Sequence, residues 1–145
     1  MYKTLVVGTD GSPTAEKAVQ TAAELARSWG SELHIVTAFR TPRPGMGAAA
    51  GVDLVDSGAG HALAEEGARA VGLDSIEMFG DGITAEAHGA QGPADEVILS
   101  TAAEVGADLI VVGSKGMRGA RRYLGSVPNS VAHGANCAVL VVKTD

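Results

Sequence analysis

Short apolar runs alternate along the chain with longer stretches of helical periodicity. The first run, TLVVG (Thr4 to Gly8), is β-branched and lacks polar alternation, as a strand buried on both faces does. It ends at GTDGSP, where Ser12 offers a capping hydroxyl and Pro13 suits the first helical position. Ala15, Ala18, Val19, Ala22, Leu25, Ala26 and Trp29 then recur on one helix face, and Gly30 closes the helix. ELHIVTAF (Glu32 to Phe39) predicts a second strand, parallel to the first because a long helix joins them. The Pro- and Gly-rich residues from Arg40 onward, which include Arg43, predict a loop to about Val52. A weak helix is predicted over roughly Gly58 to Val71, with Ala62, Leu63 and Ala70 on one side and Gly67 acting against it. LDSIEMFGDG reads as a turn or an irregular strand.

ITAEAHGAQG (Ile83 to Gly92) alternates as a strand near a sheet edge does. Pro93 starts a helix that places Val97, Ile98, Thr101, Ala102 and Val105 on one face and stops at Gly106. ADLIVVG (Ala107 to Gly113) is the clearest buried strand. A helix from about Ser126 to Ala135 follows, with Pro128 in its first turn. CAVLVVK is the last strand. Strands alternating with helices predict an α/β fold: one domain over 1–145, a doubly wound five-stranded parallel sheet with helices on both faces, Rossmann-like.

In such a sheet, ligands bind beyond the carboxyl ends of the strands. Two of those ends are unusual: GTDGS (Gly8 to Ser12) after the first strand, and GSKG (Gly113 to Gly116) after the fourth. If the two strands are neighbours, both turns face one crevice. The alternation favours that adjacency without proving it. Gly113 and Gly116 let backbone N–H groups approach a ligand, and Gly125-Ser126 opens a helix whose free N–H groups attract an anion. The Ser126 hydroxyl can cap that helix or donate to a phosphate oxygen. Lys115, Arg118, Arg121 and Arg122 bring positive charge to the same window. The stretch is neither a P-loop nor a dinucleotide fingerprint. Asp10 can accept from a ribose hydroxyl or an adenine amino group, hold Mg²⁺, or form an Asx turn ahead of Ser12.

Charge and composition sharpen this picture. The formal net charge is −6, so nothing overall attracts nucleic acid or an anionic membrane, and a local cationic window stands out. Aromatic residues are only 3% of the chain, so the core rests on Val, Leu, Ile and Ala. Cys137 is the single cysteine; it opens an apolar run and reads as a small packed residue. His34, His61, His88 and His133 show no metal-ligand spacing, so none is assigned a ligand role. No apolar stretch reaches membrane-spanning length, and the N-terminus does not read as a signal peptide; a cytoplasmic protein is expected.

Together VVGTDGSPTAEKAV, ADLIVVGSKG and LGSVPNSVAHGANCAVLVVK resemble the universal stress protein family, in the family's order and over nearly the whole chain. The resemblance implies strand order 3-2-1-4-5, which sets the first and fourth strands side by side. It also implies binding of ATP or a related adenine nucleotide, with Mg²⁺ where ATP is bound. ATP-binding members carry G-x2-G-x9-G-S/T. Gly113, Gly116 and Gly125-Ser126 match this motif, with eight residues (Met117 to Leu124) in place of nine. By the same carry-over, Thr9 and Asp10 lie at the adenosine end, Ala38 against the base, and Val112 and Gly113 beside the ribose. Gly116, Gly125, Ser126 and Val127 hold the phosphates, with Arg118 at the rim. Pro128 replaces a residue that donates a phosphate contact in some members. Members with a similar GSVP ending are linked to cyclic AMP.

A nucleotide-binding regulatory protein is therefore expected. The alternatives are a cyclic AMP-binding member, suggested by the GSVP ending, and an interaction module that binds no nucleotide, favoured by the shortened spacing and by Pro128. No nucleophile–base pair accompanies the glycine turns, so binding with at most slow ATP hydrolysis is expected. The family also implies a homodimer through the C-terminal strand, which would cover an apolar edge.

Overall fold

Three β-branched or apolar runs form strands covered from both sides at the centre of the sheet, and two more runs form its edges, one apolar and one bearing Ala, Gly and His. In the computed structural model, residues 1–40, 58–115 and 126–144 are described. The elements are β1 (Thr4–Gly8), α1 (Pro13–Trp29), β2 (Glu32–Phe39), α2 (Gly58–Phe79), β3 (Thr84–Gln91), α3 (Ala94–Val105), β4 (Leu109–Gly113), α4 (Val127–Gly134) and β5 (Ala138–Val142). All strand pairings are parallel and the order is β3-β2-β1-β4-β5. This is the expected doubly wound, Rossmann-like sheet. β1 and β4 are neighbours, with Val7 opposite Val111.

Alternation along the strands splits the core in two. Leu5, Val7, Leu33, Ile35, Leu109 and Val111 meet the Ala-rich face of α1, together with Ile76 and Phe79 of α2. Val6, Val36, Ile110 and Val112 meet Val97, Ile98 and Ala102 of α3 and Val131 of α4. The α1 boundaries follow the sequence: Ser12 Oγ accepts from the Ala15 N–H at 3.3 Å, and Gly30 ends the helix at φ 66°. Cys137 packs beside the second core; burial, helped by Asp108, pushes its thiol above the ordinary range, away from reactive thiolate. No helix among the described residues is long and apolar enough to cross a membrane.

α2 departs from expectation. It continues through LDSIEMF to Phe79 rather than ending near Val71. Ala62, Leu63 and Ala70 are exposed, and the buried stripe is Ala68, Gly72 and Ser75. The reason is close approach. A Cβ on Gly72 would sit 2.8 Å from the Ala87 Cβ, and one on Gly89 would sit 2.6 Å from the Glu65 carbonyl oxygen. The helix lies so near β3 that only the smallest residues fit at the contact, so its packed face carries little apolar signal.

Candidate functional site

The carboxyl ends of β1, β2 and β4 open onto one cleft of about 190 Å³. β1 ends there in Gly8, followed by Thr9 and Asp10. β2 contributes Val36 and Ala38, and β4 contributes Val112 and Gly113, followed by Lys115. Ile98 of α3 and Val127 and Pro128 of α4 complete the apolar walls. The glycines at the two strand ends let neighbouring side chains come close. A Cβ on Gly8 would lie 2.5 Å from Ile98 Cδ1, and one on Gly113 would lie 3.0 Å from Thr144 Cγ2.

The polar rim is built by local hydrogen bonds. The Thr9 N–H donates to the Val36 carbonyl at 2.9 Å, extending the β1–β2 ladder by one step. Thr9 Oγ1 accepts from the Gly11 N–H at 3.1 Å, and Asp10 Oδ1 accepts from the Ser12 N–H at 2.9 Å. Gly11 makes this turn possible at φ 77°. The Asx turn thus forms, yet it uses one oxygen of a carboxylate that can accept several bonds. Burial pushes the Asp10 carboxyl up. The Ser12 hydrogen bonds, with Lys115 nearby, outweigh it and hold the group below its ordinary value.

Two features supply chemistry. Thr144 is buried at the cleft wall, its N–H donating to Ser114 Oγ at 3.1 Å and its carbonyl accepting from Lys17 Nζ at 3.2 Å. Ser126 precedes α4 in extended conformation, φ −68° and ψ 143°, and its hydroxyl does not cap the helix. That hydroxyl is buried without a hydrogen-bond partner among the described residues. The N-terminus of α4, whose first N–H groups lack intrahelical acceptors, thus reaches the cleft through Val127 and Pro128, with the buried Ser126 hydroxyl just behind them in sequence.

Comparison with known proteins gives this cleft its context. A model of the universal stress protein family matches residues 1–143. The chain belongs to the universal stress protein family. Universal stress protein A homolog 2 of Coxiella burnetii is 33% identical over 148 residues, covering 98% of this chain and 95% of the relative. A universal stress protein solved in complex with cAMP superposes with a TM-score of 0.79 at 28% identity, over 99% of each chain. The family member from Archaeoglobus fulgidus in complex with dAMP gives 0.65 at 27% identity, over 98% of each chain.

Of the residues picked out by the sequence, Thr9, Asp10, Ala38, Val112, Gly113 and Val127 line the cleft; Ser126 precedes Val127 but does not itself line it. Gly116, Arg118 and Gly125 lie outside the described residues, as do Arg43, Arg121 and Arg122. Sequence reasoning passed over Val36, Ile98 and Thr144 as cleft residues, while Gly8 belongs to the GTDGS turn it did place there. Val36 was within reach, because period two puts it on the same face as Ala38. Thr144 was not, because it comes to the cleft only through the pairing of β5 with β4.

Proposed function

We propose that the cleft binds an adenine nucleotide and that the protein acts as a nucleotide-responsive stress protein. In this reading Val36 and Ala38 pack against the base, Thr9 and Asp10 face the adenosine, and Val112 and Gly113 follow the ribose. Gly116, Gly125, Ser126 and Val127 hold the phosphates, with Arg118 at the rim. The observation that carries it is the buried, unpartnered Ser126 hydroxyl at the start of α4. Such an orphan costs free energy unless a ligand meets it. The complexes of related proteins with cAMP and dAMP support the same ligand class. For ATP, Mg²⁺ fits the donor set, since this ion is held by phosphates with one or two carboxylates and Asp10 supplies one at the rim. The same reading includes a symmetric dimer through β5, which lies at the sheet edge.

Pro128 favours a second reading within this class. It occupies the first turn of α4 and has no N–H, so the helix offers a phosphate one donor fewer. A single cyclic phosphate needs fewer donors than a triphosphate, which points to cAMP. Calorimetry of nucleotide-free protein with ATP, AMP and cAMP, with and without Mg²⁺, tests both. Saturable binding of one of them is expected, and absence of binding below millimolar concentration would overturn the proposal.

A further inference from the structure

Away from the cleft, on the sheet face covered by α3, two imidazoles meet. His34 of β2 and His88 of β3 are 54 residues apart in sequence, yet Nδ1 of His34 lies 2.8 Å from Nε2 of His88. The β2–β3 register makes the meeting: His34 pairs with Glu86 and Val36 with His88. The alternation of the strands sends all of these side chains to one face. Glu86 Oε2 is 3.8 Å from the same His34 Nδ1. One ligand atom from each of His34, Glu86 and His88 falls within 4.8 Å of the other two.

We propose that His34, Glu86 and His88 form a binding site for a divalent transition metal of the zinc class. Two imidazoles and a carboxylate are a ligand set such ions take, whereas Mg²⁺ and Ca²⁺ prefer all-oxygen sites. Zinc–nitrogen bonds of about 2.0–2.1 Å at a tetrahedral angle set the two nitrogens about 3.3 Å apart. The pair at 2.8 Å therefore reaches that spacing by parting about half an ångström, within the reach of two side chains on adjacent strands. The far side of His34 is also prepared. Its Nε2 faces Glu32 Oε1 at 3.5 Å, the outer carboxylate that commonly orients a metal-bound histidine. With the His34 hydrogen turned to Glu32, Nδ1 presents its lone pair. His88 presents one at Nε2 when its own hydrogen sits on Nδ1. Without metal, the 2.8 Å separation is that of an N–H···N hydrogen bond, one imidazole donating to the other, and an ion between them takes the place of that shared hydrogen.

Burial works against charge on the His88 imidazole, whereas three carboxylates, Glu32, Glu86 and Glu104 of α3, lie near the pair with one cation, Arg69 of α2, among the described residues. His34 is buried and Glu86 is exposed, so the site is anchored on the sheet and open on its outer side. The fourth position falls to water, and the metal clasps β2 to the edge strand β3.

Titrating chelator-treated protein with zinc chloride in a calorimeter tests the assignment. One Zn²⁺ per chain is expected, with affinity reduced about tenfold or more in Glu86→Gln and in His88→Gln, and by a comparable factor in Glu32→Gln. His61→Gln, on α2 beside Glu65, should leave binding unchanged. Because His34 is buried, its replacement carries a folding risk, and the exposed Glu86 gives the cleaner variant. Cobalt in place of zinc should give the visible absorption of a tetrahedral site and lose it in Glu86→Gln. No saturable binding, or binding that survives both Glu86→Gln and His88→Gln in folded protein, overturns the proposal.

Discussion

Replacing Ser126 by Ala should move stability and nucleotide affinity in opposite directions. The Ser126 hydroxyl is buried and meets no partner among the described residues. Burying such a group costs about 1–3 kcal/mol in protein mutational data. Its removal should therefore stabilise the nucleotide-free protein, by about 1 kcal/mol once the small void left by the oxygen is subtracted. For a chain of 145 residues that corresponds to a rise of about 2–4 °C in the melting midpoint. In the proposed nucleotide complex the same hydroxyl would donate to a charged phosphate oxygen, a bond worth about 1.5–3 kcal/mol. Affinity should fall by about ten- to a hundredfold. Urea titration of nucleotide-free protein and calorimetry with cAMP and ATP read the two effects separately. A variant that is less stable without ligand, or that binds as tightly as the parent, refutes the reasoning, because the hydroxyl would then serve the fold or serve nothing.

Gly8→Ala places a methyl 2.5 Å from Ile98 Cδ1, so it should cost about 1–3 kcal/mol and weaken nucleotide binding as Ile98 is displaced; Ile98→Val should restore part of both in a double mutant, and additive losses would count against the contact. Although burial raises it, the Asp10 carboxyl is held on balance below its ordinary 3.8 by Ser12 and Lys115, so its contribution is present above that pH and lost as pH falls through it. Asp10→Asn should accordingly flatten the acid limb of the stability curve below pH 3.8, and an unchanged limb in urea titrations would contradict this. Val141→Asp puts a charge on an exposed apolar residue of the edge strand β5 and should dissociate a β5-mediated dimer into chains of 14.6 kDa; sedimentation that finds the parent already at that mass would exclude such a dimer.

The outline of the fold was legible because local signals and the global arrangement agree. Ser12, Pro13 and Gly30 bound α1 as capping rules require, and the unalternating runs TLVVG and LIVVG became the central strands β1 and β4. α2 shows where legibility stops. Gly67 lowers helix propensity, LDSIEMFGDG reads as a turn or an irregular strand, and Leu63 reads as part of the packed side. In the fold Leu63 is 69% exposed, and Gly72 is at the contact because α2 must come close to Ala87. Glycine carries two opposite meanings, breaker and close-packer, and only the neighbouring element decides between them.

The cleft and the histidine pair obey the same rule. GTDGS and the first residues of GSKG could be read as cleft-lining turns because a turn at a strand end is written in consecutive residues. The walls could not, since Ile98 and Thr144 reach the cleft by the packing of α3 and the register of β5. His34 and His88 are invisible to any search for metal-ligand spacing along the chain, for their spacing exists only across two parallel strands. A histidine at a non-central position of one strand acquires chemical meaning when the register places a second histidine and a carboxylate beside it. On an edge pair such as β2–β3, one side is free of a further strand. Polar ligands can gather there without a buried charge being stranded in the centre of the sheet.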